Sequence, residues 1–185
     1  MQLFKTVLGE ISENEIGLTL SHEHICCYSE YLYEMAGSSY LDKERLFETS
    51  VKCLSTLKAK YGLNTFIDCT PVNIGRDVEL LKRISAKTKV NIICSTGFYY
   101  TEEPLLNSLD ADRIADYIIT DAKRINAGII KCAVENEHIS AFEAKILKAV
   151  AKAQLSLNLP IVVHSNARNK NGIKALEILL QEGVK

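Results

Sequence analysis

The sequence predicts an α/β fold built on a parallel sheet, and two observations support this prediction. Short apolar or β-branched segments alternate along the chain with longer segments in which apolar residues recur at helical spacing. Several of the short segments are apolar almost throughout, which is typical of strands that are covered on both faces. Alternation of this kind indicates βα units and therefore parallel strands.

The elements can be assigned in order from these segments. The predicted strands are 16–20, 64–70, 90–96, 128–134 and 159–164. A helical face follows each strand, and the apolar residues of the five faces are Leu46, Ser50, Val51, Leu54, Leu57 and Tyr61; Val78, Leu81 and Ile84; Ile114, Tyr117 and Ile118; Ile146, Leu147 and Val150; and Ile173, Leu176 and Leu180. Gly62 and Gly183 are predicted to end the first and the last of these helices.

Composition restricts the class of protein. With 185 residues, a net charge of −1 and 47% hydrophobic residues, the chain can bury a core in one domain. No segment approaches the roughly 20 apolar residues of a membrane span, and the N-terminus lacks the features of a signal peptide, so we expect a cytoplasmic protein that does not bind membranes. Interspersed lysines and glutamates without a basic stripe argue against nucleic-acid binding and favour small-molecule chemistry.

The cysteines give no sign of a disulfide or zinc-finger framework. They lie mostly inside apolar segments and form no Cys-x-x-Cys motif. We therefore expect reduced, buried side chains at Cys26, Cys27, Cys53, Cys69, Cys94 and Cys132.

Two histidines at the end of the first predicted strand are the strongest functional signal. His22 and His24 are two positions apart, and side chains at this spacing in a strand point to the same face, so both imidazoles can bind one metal ion. Glu23 points to the opposite face, and we interpret it as structural. The alternative is a polar strand end with two ordinary solvent-facing histidines.

Two further predicted strands carry candidate functional residues at the same edge of the sheet. Lys131 lies in the predicted strand 128–134, and His164 ends the strand 159–164. In a (β/α)8 barrel, catalytic residues gather at the C-terminal ends of the strands. Burial lowers the pKa of a lysine, and a neutral amine can take up carbon dioxide as a carbamate that bridges two metal ions. The alternative is a lysine at a strand edge that reaches solvent.

Several sequence blocks resemble the phosphotriesterase family of the amidohydrolase superfamily. The opening motif is Gly17-Leu-Thr-Leu-Ser-His-Glu-His-Ile25, and the later blocks follow in the family's order: Ile67-Asp-Cys-Thr70, Ile74-Gly-Arg-Asp77, Ser95-Thr-Gly97, Ala127-Gly-Ile-Ile-Lys131 and Val163-His164. The resemblance implies a TIM (β/α)8 barrel with two divalent metal ions, usually zinc. It further implies that a metal-activated hydroxide attacks a lactone, a carboxylic ester or a phosphotriester.

The resemblance also implies a role for each candidate residue. His22 and His24 resemble the ligands of the more buried metal ion, Lys131 the carbamylated bridge, and His164 a ligand of the more exposed ion. Tyr99 resembles the tyrosine that lactonase-like members place over the metals, which favours a lactone or carboxylic ester over an organophosphate. The alternative for Tyr99 is an aromatic ring that packs at the barrel mouth.

The length departs from the family pattern. A (β/α)8 barrel has eight βα units and typically about 250 residues, whereas this chain supplies about five units. We therefore expect residues 1–185 to be one hydrolase domain that is incomplete at its C-terminal end. Its open sheet edges would favour association, and a homodimer is one such form.

Two other functions stay open at this point. One is a catalytically inactive remnant that acts as a metal-binding or self-associating module. The other is a metal-dependent deoxyribonuclease of a related barrel, although those enzymes usually carry a glutamate at the position of Lys131.

Overall fold

The computed structural model describes residues 2–185, and it confirms the predicted alternation of strands and helices. The strands within these residues are β1 (Leu3–Thr6), β2 (Gly9–Ser12), β3 (Leu18–Glu23), β4 (Leu63–Asp68), β5 (Asn91–Gly97), β6 (Ile129–Val134) and β7 (Ile161–Ser165). β1 and β2 form an antiparallel hairpin that the sequence analysis missed. β3 to β7 follow one another in chain order in a five-stranded sheet, and the pairs β3–β4, β4–β5 and β6–β7 are parallel.

The helices occupy the intervals between the strands. They are α1 (Glu13–Ile16), α2 (Glu30–Ala36), α3 (Lys43–Tyr61), α4 (Val78–Thr88), α5 (Pro104–Asn107), α6 (Ala111–Ile125), α7 (Ala141–Leu157) and α8 (Asn171–Gln181). The five predicted helical faces belong to α3, α4, α6, α7 and α8. Within residues 2–185, no helix has the length and apolar character that crossing a membrane requires.

Local side-chain chemistry sets the ends of α3. The carboxylate of Asp42 accepts the backbone N–H groups of Glu44 and Arg45 and so caps the first turn. Gly62 adopts a left-handed conformation with a φ of +73°, which any other residue would adopt at a cost. The helix therefore ends where the sequence predicts.

The first strand of the sheet begins later than predicted. Ile16 closes α1, and Gly17 has a φ of +54°, so the extended segment starts at Leu18. The strand then continues through Glu23, with a register shift against β4 between Leu20 and Glu23. Its end therefore reaches into the His-x-His segment.

The chain divides into two compact units. The first comprises residues up to 95 together with 125–128, and the second comprises 96–124 and 129–185. The core of the first unit includes Leu54, Leu63, Phe66, Leu81 and Ile84. In the second unit β6 is buried along its whole length, and the core also includes Phe142, Ile146, Leu147 and Val150 of α7.

Helix α8 buries a different face from the predicted one. Ala175 and Leu179 are buried, and the helix contacts α7 and β7. Ile173, Leu176 and Leu180, which the sequence analysis assigned to the core face, are 63%, 54% and 53% exposed. The helix carries two apolar stripes, and the stripe with the small Ala175 side chain allows the closer approach to its neighbours.

The cysteine prediction is partly wrong. Cys69, Cys94 and Cys132 are buried as expected, whereas Cys27 and Cys53 are exposed. Cys53 lies on α3, where apolar character does not by itself place a residue on the inner face of the helix.

Candidate metal centre

The histidine pair lies at the end of β3 in the first unit. His22 is in the strand, and His24 directly follows the last strand residue. Both side chains are exposed, whereas Glu23 between them is half-buried, which fits the alternation of a strand. The two ring centres lie 6.0 Å apart. The two imidazoles therefore lie close together at the end of β3.

Thr70 contacts the imidazole of His24. The imidazole Nδ1 of His24 lies 2.9 Å from the Thr70 hydroxyl oxygen. Burial raises the pKa of Asp68, and the Thr70 hydroxyl is the first of the hydrogen-bond donors that oppose this rise. The hydroxyl of Thr70 thus contacts the Nδ1 side of the His24 ring and helps to fix the orientation of the imidazole.

Asp68 is a buried acidic residue near the histidine pair that the sequence analysis did not single out. It lies buried at the end of β4, where its carboxylate accepts the N–H groups of Ile25 and Thr70, each at 2.9 Å. The buried Arg76 donates to the carbonyl oxygen of Ser95 at 2.9 Å, and its charge also opposes the rise in the Asp68 pKa. The signal in the sequence that could have identified Asp68 was an acidic residue in an otherwise buried strand. These bonds hold the segments after β3 and β4 in place.

Lys131 lies in β6 of the second unit. The side chain has 0% exposure, and the residue pairs with Val162 of β7. This burial excludes the alternative of a strand-edge lysine that reaches solvent. The carbonyl oxygen of Lys131 accepts the N–H of Phe98 at 3.1 Å. Gly97 has a φ of +103°, and a Cβ atom there would overlap that carbonyl oxygen, so only glycine lets the turn after β5 approach Lys131 this closely.

Tyr99 lies beside His164, also in the second unit. Its hydroxyl oxygen is 3.5 Å from Nε2 of His164, and the two ring centres are 5.3 Å apart. The Tyr99 ring also packs on Tyr100 with ring centres 4.7 Å apart. The Tyr99 ring thus packs on a neighbouring aromatic ring and lies next to a candidate ligand.

Glu135 is the partner of His164, and the sequence analysis did not single it out. Nε2 of His164 lies 2.8 Å from a carboxylate oxygen of Glu135, and both side chains are partly buried. The amide of Asn166 donates to the other carboxylate oxygen at 3.1 Å. Glu135 directly follows β6, and an acidic residue next to the C-terminal end of a buried strand was the signal available in the sequence.

The comparison with known sequences identifies the family. The sequence model described as the Phosphotriesterase family matches residues 2–185. The chain belongs to this family. The resemblance that the sequence blocks suggested is therefore confirmed, and the five βα units of the structure agree with the α/β fold class that it implied.

Curated relatives from distant organisms match almost the whole chain. Aryldialkylphosphatase of Saccharolobus solfataricus is 33% identical over 183 residues, which cover 94% of this chain and 57% of the relative. The phosphotriesterase homology protein of Mycobacterium tuberculosis is 29% identical and covers 100% of this chain and 61% of the relative. N-acetyltaurine hydrolase of Homo sapiens is 27% identical over 97% of this chain and 61% of the relative. The phosphotriesterase-family chain thus spans about 60% of the length of these relatives.

The candidate ligands fit divalent metal ions by their chemistry. The first unit supplies the imidazoles of His22 and His24, and the second supplies Lys131 and the imidazole of His164. Among residues 2–185, no group of three or more histidine, cysteine, aspartate or glutamate side chains is arranged to hold one ion. Imidazole nitrogens and a carbamate oxygen are suitable ligands for zinc and for other borderline divalent metals.

Proposed function

We propose that this chain forms part of a metal-dependent hydrolase in which His22, His24, Lys131 and His164 hold two divalent metal ions, preferably zinc. The substrate is a lactone, a carboxylic ester or a phosphotriester. The observation that carries the proposal is the complete burial of Lys131 in β6 of a chain that belongs to the phosphotriesterase family. Burial disfavours the charged form of a lysine side chain, and a neutral amine is suited to modification.

The chemistry proposed for Lys131 is the formation of a carbamate. The neutral Nζ attacks carbon dioxide, an N–C bond forms, and one proton is released to solvent. The product is a carboxylate, which supplies two oxygen atoms where the unmodified side chain offers one nitrogen. Two oxygen atoms can bind two cations at once, which an amine cannot do.

The chain's own residues orient the groups that hold the metal ions. When bound, such ions lower the pKa of water and polarise a carbonyl or phosphoryl oxygen. Thr70 contacts Nδ1 of His24 and helps to fix the orientation of the ring. Tyr99 places its hydroxyl next to His164, where it can donate a hydrogen bond to a substrate oxygen.

Tyr99 is the feature that selects among the substrates. We propose a lactone or a carboxylic ester, because the lactonase-like members of the family resemble this chain at that position. The names of the relatives span an aryldialkylphosphatase and an N-acetyltaurine hydrolase, so family membership alone does not choose among substrates.

The second candidate function is a metal-binding or self-associating module without catalysis. The exposure of both His22 and His24 favours this alternative, because a hydrolytic metal centre is normally shielded from bulk water. The chain would then hold metal without turnover.

Elemental analysis of the purified chain tests the proposal. We expect one or more transition-metal ions per chain after dialysis, and a clear loss in Lys131→Met and in His22→Ala. Lys131→Glu restores a carboxylate and should retain part of the metal. His138→Ala is the matched control, because His138 is also exposed but lies in the segment after β6, outside the candidate ligand set.

Two further measurements separate the alternatives. Equilibration with 13C-labelled bicarbonate should give a carbamate resonance that is lost in Lys131→Met. Hydrolysis of lactones, aryl esters and aryl dialkyl phosphates, lost in His22→Ala, supports the enzyme, and bound metal without turnover supports the module. DNA cleavage would favour the nuclease. Unchanged metal content in Lys131→Met would contradict the ligand assignment.

A further inference from the structure

Glu135 is held in place by the structure around it. Its backbone N–H donates to a carboxylate oxygen of Glu143 at 2.8 Å, and the N–H of Asn136 donates to the same oxygen at 3.3 Å. Glu143 is itself 1% exposed, and its second oxygen accepts the N–H of Ser140 at 2.7 Å. A buried carboxylate therefore fixes the start of the segment that follows β6.

The carbonyl groups of this segment are bound as well. The side-chain amide of Asn171, which is fully buried at the start of α8, donates to the carbonyl oxygen of Asn136 at 2.7 Å and to that of Glu137 at 3.3 Å. Asn169 donates to the carbonyl oxygen of Asn136 at 3.2 Å. Donors and acceptors on both sides leave the backbone of residues 135–137 little freedom.

We propose that Glu135 is a positioning residue for His164 in the metal centre, an inference that rests on the proposed function. Its carboxylate accepts the Nε2 proton of His164 at 2.8 Å, which leaves the lone pair on Nδ1. Nδ1 is then the nitrogen of His164 that binds the metal ion. A carboxylate behind a metal-binding imidazole fixes the tautomer and the ring orientation and increases the basicity of the ligand nitrogen.

The imidazoles of His24 and His164 are contacted at different ring nitrogens. Thr70 contacts Nδ1 of His24, whereas Glu135 contacts Nε2 of His164 and selects Nδ1 for the metal. The amide of Asn166 binds the second Glu135 oxygen and holds the carboxylate plane towards the imidazole. Glutamine at position 135 would keep this geometry but would remove the negative charge of the carboxylate.

The test uses the 15N-labelled full chain without metal, at a pH where histidine is neutral. The ring nitrogen shifts of His164, assigned by their absence in His164→Gln, report the tautomer. We expect the Nε2–H form in the wild type and in Glu135→Gln, whose amide oxygen can still accept the proton, and a mixture of both forms in Glu135→Ala. Glu137→Gln is the control, because Glu137 is an exposed glutamate on the same segment.

Competition with a chelator supplies the second measurement. Glu135→Ala should weaken zinc binding about 10–100-fold, Glu135→Gln less, and Glu137→Gln not at all. An unchanged His164 tautomer in Glu135→Ala overturns the inference, and so does unchanged zinc affinity in that variant. If the wild-type chain binds no zinc, the proposed function fails, and the tautomer measurement still decides whether Glu135 sets the ring of His164.

Discussion

Gly97→Ala tests whether the backbone after β5 must lie against Lys131. Gly97 has a φ of +103°, and a Cβ atom there would overlap the carbonyl oxygen of Lys131. It would also lie 3.0 Å and 3.1 Å from the carbonyl carbon and the nitrogen of the same residue. These neighbours are backbone atoms of a buried strand, so they cannot rotate away as a side chain would.

The expected loss of stability has three sources. Alanine at a positive φ costs about 1–2 kcal/mol. Displacing β6 far enough to admit a methyl group costs about 1–3 kcal/mol, as overpacked cores do. The displacement also breaks the bond from the N–H of Phe98 to the Lys131 carbonyl, and a typical hydrogen bond contributes about 0.5–1.5 kcal/mol. We therefore expect Gly97→Ala to lower the free energy of unfolding by about 2.5 kcal/mol or more.

Urea unfolding followed by circular dichroism measures this loss, with Gly62→Ala as the matched control. Gly62 also has a positive φ, of +73°, but a Cβ atom there meets nothing within 4 Å, so only the conformational cost remains. The difference between the two variants reports the collision with Lys131, and it should be at least about 1.5 kcal/mol. Equal losses in the two variants would refute the argument.

Two further predictions concern α8 and the support of Glu135. Leu179→Ala should lower the free energy of unfolding by about 2–5 kcal/mol, because Leu179 is 4% exposed. Leu176→Ala, on the exposed stripe, should change it by no more than about 0.5 kcal/mol. Similar losses for the two variants in urea unfolding would mean that the outer stripe is also packed. Burial raises the pKa of Glu143, but the backbone N–H groups of Ser140 and Glu135 outweigh it and leave the pKa below its ordinary value of 4.5. The ionised Glu143 side chain therefore stabilises the fold above about pH 4.5, and this effect is lost as the pH falls through the lowered pKa. The loss in free energy of unfolding caused by Glu143→Gln should accordingly become smaller on acidification. A loss that does not change with pH would contradict the assignment.

The sequence determined the features that depend on local pattern and residue type. Apolar periodicity placed five βα units, because a strand or helix repeats over a few neighbouring residues. The His22–His24 spacing, the lysine inside an apolar segment and His164 at a strand end identified the candidate ligands by their chemistry. Family membership confirms the resemblance that these motifs indicated.

Only the tertiary structure decided which partners these residues have. Thr70 contacts His24 from 46 positions away, and Glu135 contacts His164 from 29 positions away, so no local pattern could reveal which ring nitrogen of each imidazole is contacted. Asp68 and Glu135 escaped the sequence analysis for the same reason, since an acidic residue shows its role only through the donors that surround it. The buried stripe of α8 was likewise undetermined, because two apolar stripes satisfy the same periodicity and only packing against neighbouring elements distinguishes them.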